Sequence, residues 1–176
     1  YHLQGLVIKN FDPQYHVVKE LPEYYQECYE KNLFTLYHVC DPHDAKAFAM
    51  GWFAVFPNED VACIGEYPQW NFYREHTSEV QIPEYVKMIK DMEKAIGKPA
   101  DVRIIDPNFG NAPKKGGNTV KEDFQENGMF FYDAPDSLES GHLAIRKLLG
   151  RPGDKEYPIR SKYLLLDHCI NHLYSV

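Results

Sequence analysis

Two aspartates stand directly before prolines at the ends of apolar runs. Asp41 closes LFTLYHVCD, residues 33–41, and Asp106 closes ADVRIID, residues 100–106. A third acidic residue, Glu66, closes VACIGE, residues 61–66, ahead of Tyr67-Pro68. Carboxylates fixed side by side on neighbouring strand ends repel one another and raise one pKa unless a cation lies between them. A hard divalent ion, Mg²⁺ or Mn²⁺, suits such oxygen donors. Two such ions about 3.5–4 Å apart can activate a water and stabilise the leaving oxygen in phosphodiester cleavage. His43, two residues after Asp41, is a further candidate, as a ligand or as a proton donor to a scissile phosphate. Lys114 and Lys115 lie in the glycine-rich loop after Asp106, where they could hold a DNA phosphate. Each candidate has a plainer reading. Asp-Pro is a common turn opener, a strand-end glutamate can simply be solvated, a lone loop histidine is usually a spectator, and two loop lysines can be only a solvated loop. What lifts the aspartates above that reading is the prospect that their strands are neighbours.

The elements around them make that prospect concrete. Residues 33–41, 47–56 and 61–66 are β-branched, aromatic and apolar, separated by Pro42-His43-Asp44 and Pro57-Asn58-Glu59-Asp60. Such short connections predict an antiparallel meander. The period then changes: Ile82, Tyr85, Val86, Ile89, Met92 and Ile96 recur at helical spacing, opened near Pro83 and closed by Gly97. The strand 100–106 comes next, then a short helix over 119–127, a strand over 129–133, and a helix from Asp136-Ser137-Leu138-Glu139 to Gly150. Strands joined through helices run parallel by right-handed crossovers. The result is an α/β fold, a mixed five-stranded sheet of order 3-2-1-4-5 flanked by helices, as in RNase H-like domains. In it the strands ending in Asp41 and Asp106 are adjacent, and that ending in Glu66 is two strands away from Asp41's. Residues 162–176 read as a last short strand turning into a helix. Residues 1–32 read as a lead-in without its own core, with Leu6-Val7-Ile8 and Val17-Val18 as short strands, Phe11-Asp12-Pro13 as a turn and a helical turn from Leu21.

Bulk composition narrows the function classes. With 44% hydrophobic and 26% charged residues, 176 residues suit one folded domain. No apolar run approaches the roughly 18 residues of a membrane helix, and no signal-peptide pattern opens the chain. A net charge of −7 argues against a protein that coats DNA by neutralising many phosphates. It leaves room for an enzyme that touches DNA locally. Cys28, Cys40, Cys63 and Cys169 lack zinc-type spacing and suggest buried thiols in a reducing, cytoplasmic setting. Asp44 and Asp133 read as turn residues, and His168 with His172 as surface or packing.

VCDPHDAKAFAMGWFAVFPNEDVACIGEYP, then a helix, then IIDPNFG, resembles the nuclease domain of tailed-phage large terminases, the motors that package viral DNA. GLVIKNFDPQYHVV resembles the segment joining the ATPase domain to the nuclease. LESGHLAIRKLLG resembles the family's helix after the fifth strand, and LLLDHCINHLYSV the segment next to that helix. The resemblance implies a division into a lead-in from a preceding ATPase domain, 1–32, and an RNase H-like nuclease domain, 33–176, that is incomplete at its C-terminal side. It implies a two-metal endonuclease cutting concatemeric double-stranded viral DNA in the cytoplasm of the infected host, with the portal and small terminase subunit as partners of the full-length protein. Asp41 matches the first family aspartate and Asp106 the second acidic position. The family's third aspartate sits in a C-terminal motif absent from this sequence, Asp167 stands too early to be it, and the ligand is expected beyond Val176. No GxxxxGK[ST] is present for an ATPase role. Two alternatives stay open: another RNase H-like enzyme, such as a resolvase or transposase core, and a non-catalytic docking module of the packaging machinery.

Overall fold

A computed structural model of the chain describes residues 10–43, 47–69, 80–111, 117–135, 138–150 and 160–169. Its centre is one sheet. The meander comprises β2 (Thr35–Asp41), β3 (Ala49–Val55) and β4 (Val61–Tyr67), paired antiparallel in sequence. Helix α3 (Ile82–Ile96) then returns the chain to β5 (Val102–Ile105), which lies parallel to β2. A single turn, α4 (Pro107–Gly110), and α5 (Val120–Glu126) lead to β6 (Tyr132–Asp133), parallel to β5. Helix α6 (Leu138–Leu149) connects back to β7 (Tyr163–Leu166), parallel to β4. The five expected strands therefore appear in the expected order. The sheet itself has seven, β1-β7-β4-β3-β2-β5-β6, because two short strands extend it beyond β4. These are β7 and β1 (Val17–Val18), the latter pairing Val17 with Leu165 and Val18 with Leu166.

The described part of the lead-in, residues 10–32, is stitched into this sheet. Asp12 does not merely open a turn. Its side chain accepts from the Gln14 N–H at 3.0 Å and caps a short helix, α1 (Pro13–His16), with proline at its start. His16 is fully buried; the Asp12 N–H donates to its Nδ1 at 2.8 Å, which leaves Nε2–H to donate to the Leu149 carbonyl at 2.5 Å. Helix α2 (Glu23–Glu30) sends Cys28 into the core.

The sheet buries one face across most of its strands and the other around β4 and β7. One packs Leu36, Cys40, Met50, Trp52, Ala54, Ala62, Ile64 and Ile105 against Ile82, Tyr85, Val86 and Ile89 of α3 and Phe124 of α5. The other packs Cys63 and Leu165 with Phe11, Leu149 and Cys169. Helix α3 has the sequence-expected apolar stripe, a Gln81–Glu84 capping box, and an end at Gly97, whose φ of 102° only glycine adopts without strain. One position of that stripe is not apolar. Glu93 is buried and makes a bidentate ion pair with Arg103 of β5, at 2.6 and 2.8 Å.

Candidate active site at the strand ends

Register decides what stands beside what. Val39 of β2 pairs with Gly51 of β3 and with Ile104 of β5. Gly51 pairs in turn with Glu66, and Ile104 with Tyr132 of β6. Directly paired residues share a face, so Tyr132, Ile104, Val39, Gly51 and Glu66 form one row across five strands. Asp41 lies two residues beyond Val39 and Asp106 two beyond Ile104, at the C-terminal ends of neighbouring parallel strands. The ladder continues to this level, since the Asp106 N–H donates to the Cys40 carbonyl at 3.0 Å.

The pair is electrostatically coupled. Asp41 lies exposed at its strand end, yet Cys40 and Pro42 on either side are buried, so protein replaces part of its water shell. That desolvation raises its carboxyl above the ordinary aspartate range, the negative charge of Asp106 raises it further, and His43 pulls it back. Asp106 is held by its own turn: the Asn108 N–H and side-chain amide both donate to Oδ1, at 2.8 and 3.1 Å. Among the described residues no lysine or arginine forms an ion pair with either aspartate. Hard oxygen donors in this state suit a divalent cation, and Mg²⁺ commonly takes only one or two carboxylates and keeps several waters.

The other sequence candidates are placed differently. Glu66 is on the same face only because of a β-bulge: Trp52 pairs with Gly65 but Phe53 with Cys63, so Ile64 is an extra residue. Without it, Gly65 would stand in the row that Glu66 occupies. Glu66 is buried and engaged by neighbours. It is set back from Asp41 by two strands and one pleat repeat, roughly 10 Å across the sheet and 7 Å along it. His43 lies within electrostatic range of Asp41 and also has partners of its own. Among the described residues, no three His, Cys, Asp or Glu side chains converge closely enough to hold a metal ion. Lys114, Lys115, Asp44 and His172 fall outside the described residues. Asp133 is paired with Lys121 at 2.8 Å, and His168 bonds the Ile64 carbonyl at 3.1 Å. Asp167 is exposed, with its N–H on the Val18 carbonyl.

Sequence reading passes over two features of this region. The Glu93–Arg103 pair ties α3 to the strand that delivers Asp106, and a charged residue inside an apolar stripe is its signal. The second is Tyr132, in the same row as Glu66 and 71% exposed. Its signal is three consecutive aromatics in a strand that can bury only alternate ones.

No family model matches the chain, and no curated protein does. Solved structures do. The large terminase of a thermophilic bacteriophage superposes with a TM-score of 0.67 at 18% identity, over 97% of this chain and 36% of that one. The nuclease domain of the P22 large terminase superposes with a TM-score of 0.59 at 13% identity, over 93% of this chain and 74% of that domain. The fold is that of a large-terminase nuclease domain. The chain spans about a third of the phage terminase it matches over 97% of its own length. The shared fold accounts for the mixed, helix-flanked sheet. No helix among the described residues is long and apolar enough to cross a membrane.

Proposed function

We propose that this chain is the metal-dependent endonuclease domain of a viral large terminase and cuts concatemeric double-stranded DNA during genome packaging. One observation carries the reading. In a terminase-nuclease fold, Asp41 and Asp106 stand on adjacent parallel strand ends, mutually repelling and without an ion pair among the described residues. They would hold Mg²⁺ or Mn²⁺, with His43 beside Asp41 as a further candidate donor, while Glu66, two strands and one pleat repeat away, stands too far off to share the ion. A divalent ion there supplies charge neutralisation and an acidified water. The residues supply the rest. The β2–β5 ladder fixes the spacing of the two carboxylates, Asn108 orients Asp106, and His43 would deliver a proton to the leaving oxygen. Lys114 and Lys115 would bind a DNA phosphate. The portal and the small terminase subunit would be partners of the full-length protein, acting in the cytoplasm of the infected cell.

The docking-module reading keeps one observation of its own, the lack of a three-donor cluster among the described residues. Plasmid cleavage with Mg²⁺ or Mn²⁺, in this chain and in a longer polypeptide containing it, separates the two. A Mn²⁺-dependent rise in melting temperature gives a second readout. Cleavage and thermal shift that both vanish in Asp41→Asn support the nuclease. A longer polypeptide that neither cuts DNA nor responds to Mn²⁺ makes the docking module the better account.

A further inference from the structure

The strand at the far edge of the sheet carries a feature that the carboxylate pair does not explain. Phe130 and Tyr132 are 66% and 71% exposed, while Phe131 between them is buried beside Phe124 and His38. Edge strands are normally blunted by charge or proline. Here two large aromatic side chains alternate outward. The register puts Tyr132 opposite Ile104, hence on the face of Asp106 and Asp41, one strand from Asp106 and one pleat repeat back. That is roughly 5 Å across the sheet and 7 Å along it. A DNA strand with its phosphodiester at the two aspartates would have this ring within about one nucleotide's reach.

The charge of the molecule says what kind of contact is needed there. At −7 overall, the chain gains little by Coulomb attraction for phosphates beyond the proposed metal site and Lys114 and Lys115. Stacking of a base on an aromatic ring does not depend on that charge. A paired base already has both faces covered by its neighbours in the helix, whereas an unpaired base offers a free one. We propose that Tyr132, with Phe130 behind it, stacks unpaired bases of the strand held at Asp41 and Asp106, so that the favoured substrate is DNA with unpaired nucleotides beside the cut. The choice of DNA as ligand rests on the nuclease reading.

The test is fluorescence anisotropy in Ca²⁺, comparing a fully paired oligonucleotide duplex with the same duplex carrying a short unpaired bubble. The chain should bind the bubble about tenfold more tightly. Tyr132→Ala should erase that difference, Phe130→Ala should reduce it, and Tyr132→Phe should keep it. Because both side chains are solvent-exposed, melting temperatures of the variants should match the parent and exclude misfolding. Equal affinity of the parent for the two DNAs, or an unchanged preference in Tyr132→Ala, overturns the proposal. The two readings fail separately. Asp41-dependent plasmid cleavage without bubble preference removes the stacking site alone. Bubble preference lost in Tyr132→Ala, in a protein that never cuts, removes the nuclease and leaves the stacking site.

Discussion

Asp41 is held at a cost that a bound cation would relieve. Its raised pKa means that the folded chain holds the Asp41 proton more tightly than the unfolded chain does. Stability from this group is therefore greatest at low pH and declines as pH rises from the unfolded value, near 3.9, through the folded one. At pH 7 the full penalty is present. Asp41→Asn should then raise the melting temperature in EDTA, by an amount worth a few tenths of a kcal/mol for so exposed a group. In the parent, Mn²⁺ should restore at least as much. Loss of stability in Asp41→Asn under EDTA would show that the pair is not strained. His38 has the opposite sign. It is fully buried, stacked on Trp52 at 4.7 Å, and neither of its ring nitrogens has a hydrogen-bond partner among the described residues. Burial, helped by the charge of Arg103, lowers its pKa to about 3. The unfolded chain takes up that proton near pH 6.5 and the folded chain does not, so stability falls as pH drops from 6.5 towards 3. At pH 5 the loss is about 2 kcal/mol. His38→Phe should remove this component of the pH dependence, read from urea midpoints at pH 7 and pH 5.

A charge pair joins helix α3 to strand β5. Arg103 sits beside His38 in the ladder, three residues before Asp106, so the Glu93–Arg103 bridge helps set where the second aspartate arrives. Removing one partner of a buried pair leaves the other uncompensated, at a cost of about 3 kcal/mol. Glu93→Ala should show that loss in chemical denaturation, and Glu93→Gln a smaller one. Arg103→Met together with Glu93→Leu should recover much of it, since apolar replacement of both partners often stabilises. Should the proposed cleavage be observed, recovery of stability without recovery of cleavage would mean that the pair positions Asp106 as well as holding the helix. Helix α3 is legible in the sequence because fifteen residues carry four turns of period. Strand β6 looks five residues long in the sequence and pairs over two, because the aromatic run MFFYD outlasts the ladder available to it.

At the scale of the molecule, the order 3-2-1-4-5 comes from apolar runs, short turns and right-handed crossovers, and so does the adjacency of Asp41 and Asp106. The extension by β1 and β7 does not. Both short strands are expected from the sequence, but their place in the sheet is not, because their pairing joins segments almost the whole chain apart. The bulge that turns Glu66 onto the carboxylate face is also invisible, since one extra residue leaves no mark on an apolar run. The sequence suggests a linker and then a domain, yet residues 10–18 are bonded into the sheet and to Leu149. His16→Ala should therefore lower the stability of the whole domain by about 2 kcal/mol or more, in one cooperative transition, because it empties a buried volume and orphans a carbonyl. A separate early transition with the main one unmoved would mark this segment as an appendage.

The parallel pairing of β7 with β4 also sets a timetable for synthesis. The meander is complete, and α3 and β5 can join it, long before residues 163–166 leave the ribosome. Until they do, β4 is an open edge carrying Val61, Ala62 and Cys63, with its backbone groups ready to pair with any other strand. Local contacts form quickly and distant ones late, so the nascent chain passes through a stage that is folded but adhesive. Arrest of translation just before β7 should yield chains that aggregate or recruit chaperones, and release of the next few residues should end that vulnerability.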